Sequence, residues 1–270
     1  MQTIDSLLFV QNRENRLFYK KVPGGKKSLI LFHGFGQDHT LFQPWFSRLS
    51  EQFTVYSVDV FFHGKSSRPN KPLVKNEWKQ IFTVFLEKEN IDHFSLGGYS
   101  LGGRFVFASA LSFPSRVDHV ILIAPDGIYR SFWYNFATFP LFQGLFNYLM
   151  RHPAIFGNWL NFFERNQLAN DSLVRFARRE LGPKENRIRV YQSWVYLKPL
   201  KFPKKRIRET FRKYKFKTFL IQGSKDNIVP PDKINPVFEG LDSVRAITGE
   251  KKHHELIDYD NLEILMKHFR

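Results

Sequence analysis

The chain has 270 residues, 43% of them hydrophobic and 24% charged, ordinary proportions for a globular protein with a sizeable core. It has no cysteine, which excludes disulfides, thiolate metal sites and a cysteine nucleophile. The formal charge of +16 permits attraction to nucleic acid, anionic lipid or acidic substrates, although a basic surface that simply solvates the protein accounts for it first.

The opening stretch MQTIDSLLFVQNRENRLF has no basic segment followed by a long apolar run, so no signal peptide is expected. No segment approaches ~20 consecutive apolar residues, so no bilayer span is expected either, and the default is a cytoplasmic enzyme or binding protein. SLLFV and RLFYKKV flank the polar QNREN and read as a hairpin. SLILFHG and FTVYSVDV read as buried strands on either side of a helix, TLFQPWFSRLSEQ. VKNEWKQIFTVFLEKEN repeats apolar residues at Trp78, Ile81, Phe82 and Phe85, the spacing of an amphipathic helix. Strand HFSLGGYS, helix LGGRFVFASALSFP and strand VDHVILIAP follow. This alternation predicts an α/β fold, a mostly parallel central sheet with helices on both faces.

From Asp126 to about Lys215 no strand-like run occurs, only aromatic and basic helical text, before FKTFLIQG, PDKINPVFEG, SVRAIT and ELIDYDNLEILMKHF restore the alternation. The expected organisation is a core domain of residues 1–125 and 216–270 interrupted by a helical insertion over 126–215.

Within that map, G-x-S-x-G falls at Gly98-Tyr99-Ser100-Leu101-Gly102, on the join between a strand and a helix. Such a join holds a serine in a strained turn with its hydroxyl projecting and with free helix N–H groups nearby. A serine needs a base, and the base an orienting acid. Asp226 follows a buried strand in FLIQGSKDNIVPP, and His253 and His254 follow the last strand in ITGEKKHHELID. Serine, acid and histidine thus come in chain order, each at the C-terminal edge of a strand, where sites of open α/β sheets lie. An oxyanion hole would take the N–H groups of Leu101 and of Phe35, the latter in the glycine turn LFHGFGQD.

Together these residues resemble the α/β-hydrolase family, over essentially the whole chain outside the insertion. The family's HG-x-G loop matches His33 to Gly36, and its D-x-x-G-x-G-x-S turn matches Asp59 to Ser66. Its elbow matches Gly98 to Gly102, and its acid loop matches Gly223 to Pro230. Phe62 stands where the turn's first glycine is usual, and Lys252 precedes His253 where glycine is common. Asp258 lies five residues after His253, as is frequent in the family, so His253 is the preferred base and His254 the alternative. Asp59 reads as structural.

The resemblance implies acyl transfer by Ser100, His253 and Asp226, with no cofactor and no metal. It also implies that the insertion is a cap. The aromatic first half of that insertion suggests a small-molecule substrate with an apolar acyl chain or aromatic ring, in an ester or thioester. The basic stretch KFPKKRIRETFRKYKFK reads first as a solvated face, next as a weak patch for an anionic membrane surface, and last as a nucleic-acid site, which is not expected. Carbon–carbon bond hydrolysis on the same three residues and a non-catalytic ligand- or lipid-binding protein stay open as alternatives. The oligomeric state is not legible.

Overall fold

A computed structural model describes residues 2–10, 15–67, 71–129, 134, 135, 138–168, 174, 178 and 183–269. Two compact units emerge, Met1–Tyr129 with Leu200–Arg270, and Arg130–Pro199.

The first unit is built on one eight-stranded sheet in the order β1-β2-β4-β3-β5-β6-β7-β8. The strands are β1 (Ile4–Val10), β2 (Asn15–Val22), β3 (Lys27–Phe32), β4 (Phe53–Val58), β5 (Phe94–Tyr99), β6 (Val117–Ile123), β7 (Lys217–Gly223) and β8 (Val244–Gly249). The hairpin read from the sequence is β1–β2, with Leu7 opposite Phe18 and its tip outside the described residues. Its second strand joins β4 antiparallel, and every pair from β4 onward is parallel. The central strands are largely apolar because both faces are covered; all six residues of β5 are buried.

Helices α1 (Gln43–Leu49), α2 (Lys75–Lys88) and α3 (Gly102–Ser112) lie where the sequence places helical text. Part of the phenylalanine excess fills the core between β3, β5, α2 and α3. There Phe32 stacks on Phe105 at 5.7 Å, Trp78 stands edge-on to Phe105 at 4.9 Å, and Phe82 stands edge-on to Phe94 at 5.4 Å. The Trp78 indole N–H, which burial would otherwise orphan, donates to Ser109 Oγ at 3.0 Å.

The second unit is shorter than the 126–215 insertion expected from sequence. It holds α4 (Pro140–Arg151), α5 (Pro153–Arg165) and α6 (Lys184–Tyr196), and Leu149, Met150, Phe156 and Leu160 form its own small core. Residues 200–215 group with the sheet unit instead. The reason is packing: α7 (Lys204–Tyr214) sends Phe211 against Phe216 at 5.0 Å and Phe107 at 6.2 Å. It also meets Phe238 of α8 (Pro231–Phe238) at 5.3 Å. A basic exposed face hid an apolar inner edge. The chain closes with α9 (Tyr259–Phe269), whose Phe269 meets Phe53 of β4 at 5.1 Å and Phe219 of β7 at 5.4 Å.

Candidate active site

Ser100 sits between the end of β5 and the start of α3, half-buried, with φ 49°. A non-glycine residue in the left-handed region costs roughly 1–2 kcal/mol and persists only where its surroundings hold it. Here they do. The Ser100 N–H donates to Ile123 O at 2.9 Å, and its carbonyl accepts from Gly103 N at 2.9 Å and Asp126 N at 2.8 Å. The Asp126 loop is itself pinned, because the buried Arg104 of α3 binds Asp126 Oδ2 at 2.7 Å. The turn also needs bare backbone: a Cβ on Gly102 would stand 2.0 Å from Phe32 O.

Asp226 follows β7 and is buried. Its Oδ1 accepts the N–H groups of Ile228 at 2.8 Å and Val229 at 2.9 Å, while Oδ2 accepts His253 Nδ1 at 2.7 Å. His253 begins a single 3₁₀ turn, His253–Glu255, after β8. The partner of Asp226 is therefore His253; His254, next in the chain, is exposed. The loops after β7 and β8 are tied by Ser224 N to Gly249 O at 2.9 Å and Lys225 N to Lys251 O at 3.2 Å, which sets the acid beside the imidazole. Lys252 takes φ −84°, a value open to any residue, and its N–H donates to Glu255 Oε2 at 2.6 Å. Glycine is not required there. Asp258 binds Lys251 and caps the first turn of α9 through Asn261 N at 2.9 Å, so its work is to hold the loop.

Tyr99, the residue before Ser100, was not singled out in the sequence. Its hydroxyl donates to His253 O at 2.9 Å, and its ring lies 5.1 Å from the His253 ring. A Cβ on Gly34 would come within 2.8 Å of the same ring, so the glycine turn after β3 also rests on Tyr99. One side chain thus touches the histidine turn and the turn carrying Phe35, one residue from the serine. Arg104 and Asp126 were likewise missed, and no sequence signal marks either pair, since both depend on contacts between separate loops.

The glycine turn is held by His33. Its Nδ1 donates to Gly34 O at 2.7 Å and its Nε2 accepts the Val60 N–H at 3.1 Å, a pattern that requires the neutral ring. Complete burial pushes its pKa down and favours that form. Gly34 N–H is taken by Gln37 Oε1 at 3.1 Å, whereas no protein acceptor is found for the Phe35 N–H among the described residues. Phe35 is half-buried and edge-on to His63 at 5.4 Å; Leu101 is buried at the head of α3.

Asp59 is enclosed and fully used. Its Oδ1 accepts His39 N at 2.6 Å and His39 Nδ1 at 2.9 Å, and its Oδ2 accepts Lys65 N at 2.7 Å. It closes the turn in which Phe62 takes the glycine position with φ 73°, wholly buried.

The sequence profile described as alpha/beta hydrolase fold matches residues 27–260. The chain belongs to the α/β-hydrolase family. Within it, a mouse protein named 1-acylglycerol-3-phosphate O-acyltransferase ABHD5 is 35% identical over 120 residues, 43% of this chain and 34% of that one. The chain thus spans about a third of the length of that curated relative. Among solved structures, a thermophilic esterase from Thermogutta terrifontis shares the fold with TM-score 0.69 and 16% identity, covering 100% of this chain and 97% of the other. Naproxen esterase from Bacillus subtilis gives TM-score 0.67 at 17% identity, covering 100% and 92%. At such identities the likeness concerns the fold.

Proposed function

We propose that this α/β-hydrolase is a serine hydrolase that cleaves a carboxylic ester or thioester bearing an apolar acyl or aromatic group. The observation that carries the reading is the Asp226–His253 pair at 2.7 Å, joined through Tyr99 to the strained turn of Ser100. Hydroxyl, carboxylate and imidazole, in that chain order, form the minimal set for acyl transfer.

In the proposed reaction His253 Nε2 takes the Ser100 proton as Oγ forms a bond to the carbonyl carbon. Negative charge gathers on the carbonyl oxygen, where the N–H groups of Phe35 and Leu101 stabilise it by several kcal/mol. Collapse breaks the bond to the alcohol or thiol, which leaves with the proton from His253. Water, deprotonated by the same imidazole, then attacks the acyl carbon and frees the acid and Ser100. Asp226 keeps the proton on Nδ1 throughout. An alcohol could discharge the acyl group in place of water, so the O-acyltransferase name of the mouse relative is compatible with this chemistry.

The apolar preference is drawn from the large apolar side chains of residues 129–163, a stretch for which the family resemblance implies a cap. Labelling with a fluorophosphonate probe tests the nucleophile: wild type is modified and Ser100→Ala is not. A series of p-nitrophenyl esters tests the substrate class, with medium acyl chains expected to outrun acetate. An unlabelled wild-type protein would favour the ligand-binding alternative.

A further inference from the structure

Helix α4 is apolar over more than half of its circumference, with Gln143, Asn147 and Arg151 aligned on the remaining side. Its inner side packs Phe146, Leu149 and Met150 into the small core of the second unit. On the outside, Leu141, Leu145 and Tyr148 recur at i, i+4 and i+7 and are 77%, 49% and 48% exposed. α5 adds Phe162, 55% exposed. Isolated exposed leucines are ordinary, but here the apolar face of the helix runs on past the part that its own core covers, and an exposed stripe of this kind marks a docking face. No charged residue occurs from Ser131 to Met150, so nothing in the sequence dilutes that stripe.

Three observations select the occupant. α4 and α5 have 12 and 13 residues, a rise of about 18–20 Å against a hydrocarbon core of about 30 Å, so neither helix can cross a bilayer but both can lie in its surface. The helix ends carry cations: Arg151 closes α4 and Arg165 closes α5, while the neighbouring acid Glu164 is ion-paired with Arg178 at 2.5 Å. The chain's +16 adds long-range attraction to a negative surface. Lastly, Tyr148 stacks on His152 at 3.9 Å beside Arg151, an amphipathic ring pair suited to a boundary between apolar and wet phases.

We infer that the exposed face of α4 and α5 docks on an anionic lipid surface, with the helices in the plane of that surface. The inference rests on the helices of the second unit and on the chain's charge, and does not depend on the hydrolase reading.

The test is co-sedimentation of the full chain with vesicles of phosphatidylcholine, with and without phosphatidylglycerol. It uses Ser100→Ala protein so that turnover of lipid plays no part. The expected result is binding to the mixed vesicles that weakens with salt. In a Leu141→Ser, Leu145→Ser double variant binding becomes at least about tenfold weaker, since two leucines no longer leave water. Circular dichroism and a wild-type melting transition establish that this variant is folded. Equal binding by the double variant would overturn the inference. So would binding lost only on neutralising Lys204 and Lys205 of α7, or a concentration-dependent dimer broken by the leucine substitutions with no vesicle binding.

Discussion

Asp226 divides its two carboxylate oxygens between different tasks: Oδ2 holds His253 Nδ1 at 2.7 Å, and Oδ1 is held by the backbone N–H groups of Ile228 and Val229 at 2.8 and 2.9 Å. The carboxylate is thereby fixed against the imidazole. Asp226→Asn keeps an acceptor for the two N–H groups but can turn a donor toward Nδ1. That favours the tautomer with the proton on Nε2, which cannot accept the serine proton. Turnover should fall by about 10⁴-fold while the melting temperature changes little. Asp226→Ala should lose activity and also melt lower, because each orphaned N–H costs about 1–3 kcal/mol.

The two adjacent histidines should behave differently. His253→Ala should lower turnover by at least about 10³-fold. His254→Ala, at an exposed side chain, should stay within a few-fold of wild type. Rates on a p-nitrophenyl ester decide between them, and the reverse ranking would transfer the base to His254.

On the proposed reading Tyr99 is a positioning residue that acts through His253 and the Gly34 turn. Tyr99→Phe keeps the ring and removes the bond to His253 O, worth about 1 kcal/mol. The expected outcome is a several-fold fall in kcat with KM nearly unchanged. A parallel rise in KM would indicate that Tyr99 shapes substrate binding instead.

Gly102→Ala would force a Cβ to within 2.0 Å of Phe32 O, between the helix after Ser100 and the strand before the Phe35 turn. Helix and strand must separate, so stability should drop by about 2–4 kcal/mol, read from thermal or urea unfolding. Fluorophosphonate labelling of Ser100 should slow in the fraction that remains folded.

Far from the site, Glu89 ties β2 to the end of α2. Burial raises its pKa, but bonds from Lys21 Nζ at 2.8 Å and from the Tyr19 hydroxyl outweigh this and hold it below 4.5. A carboxylate depressed in the folded state stabilises above its unfolded pKa, and that contribution is lost as pH falls through the folded value. Glu89→Gln should therefore melt below wild type at pH 7. The gap should close as the pH drops under about 4.5.

Much of this molecule is legible along the chain because it is written in short-range patterns. Unbroken apolar runs such as LILF mark strands covered on both faces. The spacing of Trp78, Ile81, Phe82 and Phe85 marks one buried helix face, and all four are buried. The glycines around Ser100 announce a turn that other residues cannot make. Serine, acid and histidine could be named because each follows a strand.

Other features depended on how distant segments meet. The preference of Asp226 for His253 over its neighbour, and the bond from Tyr99 to a carbonyl 154 positions on, follow from strand register and loop packing. Residues 200–215 join the sheet unit because Phe211 finds Phe107, Phe216 and Phe238, contacts that their basic text does not announce. The apolar stripe of α4 shows the same division. Periodicity reveals which faces of a helix are greasy, but only the folded chain decides which of them its own residues cover.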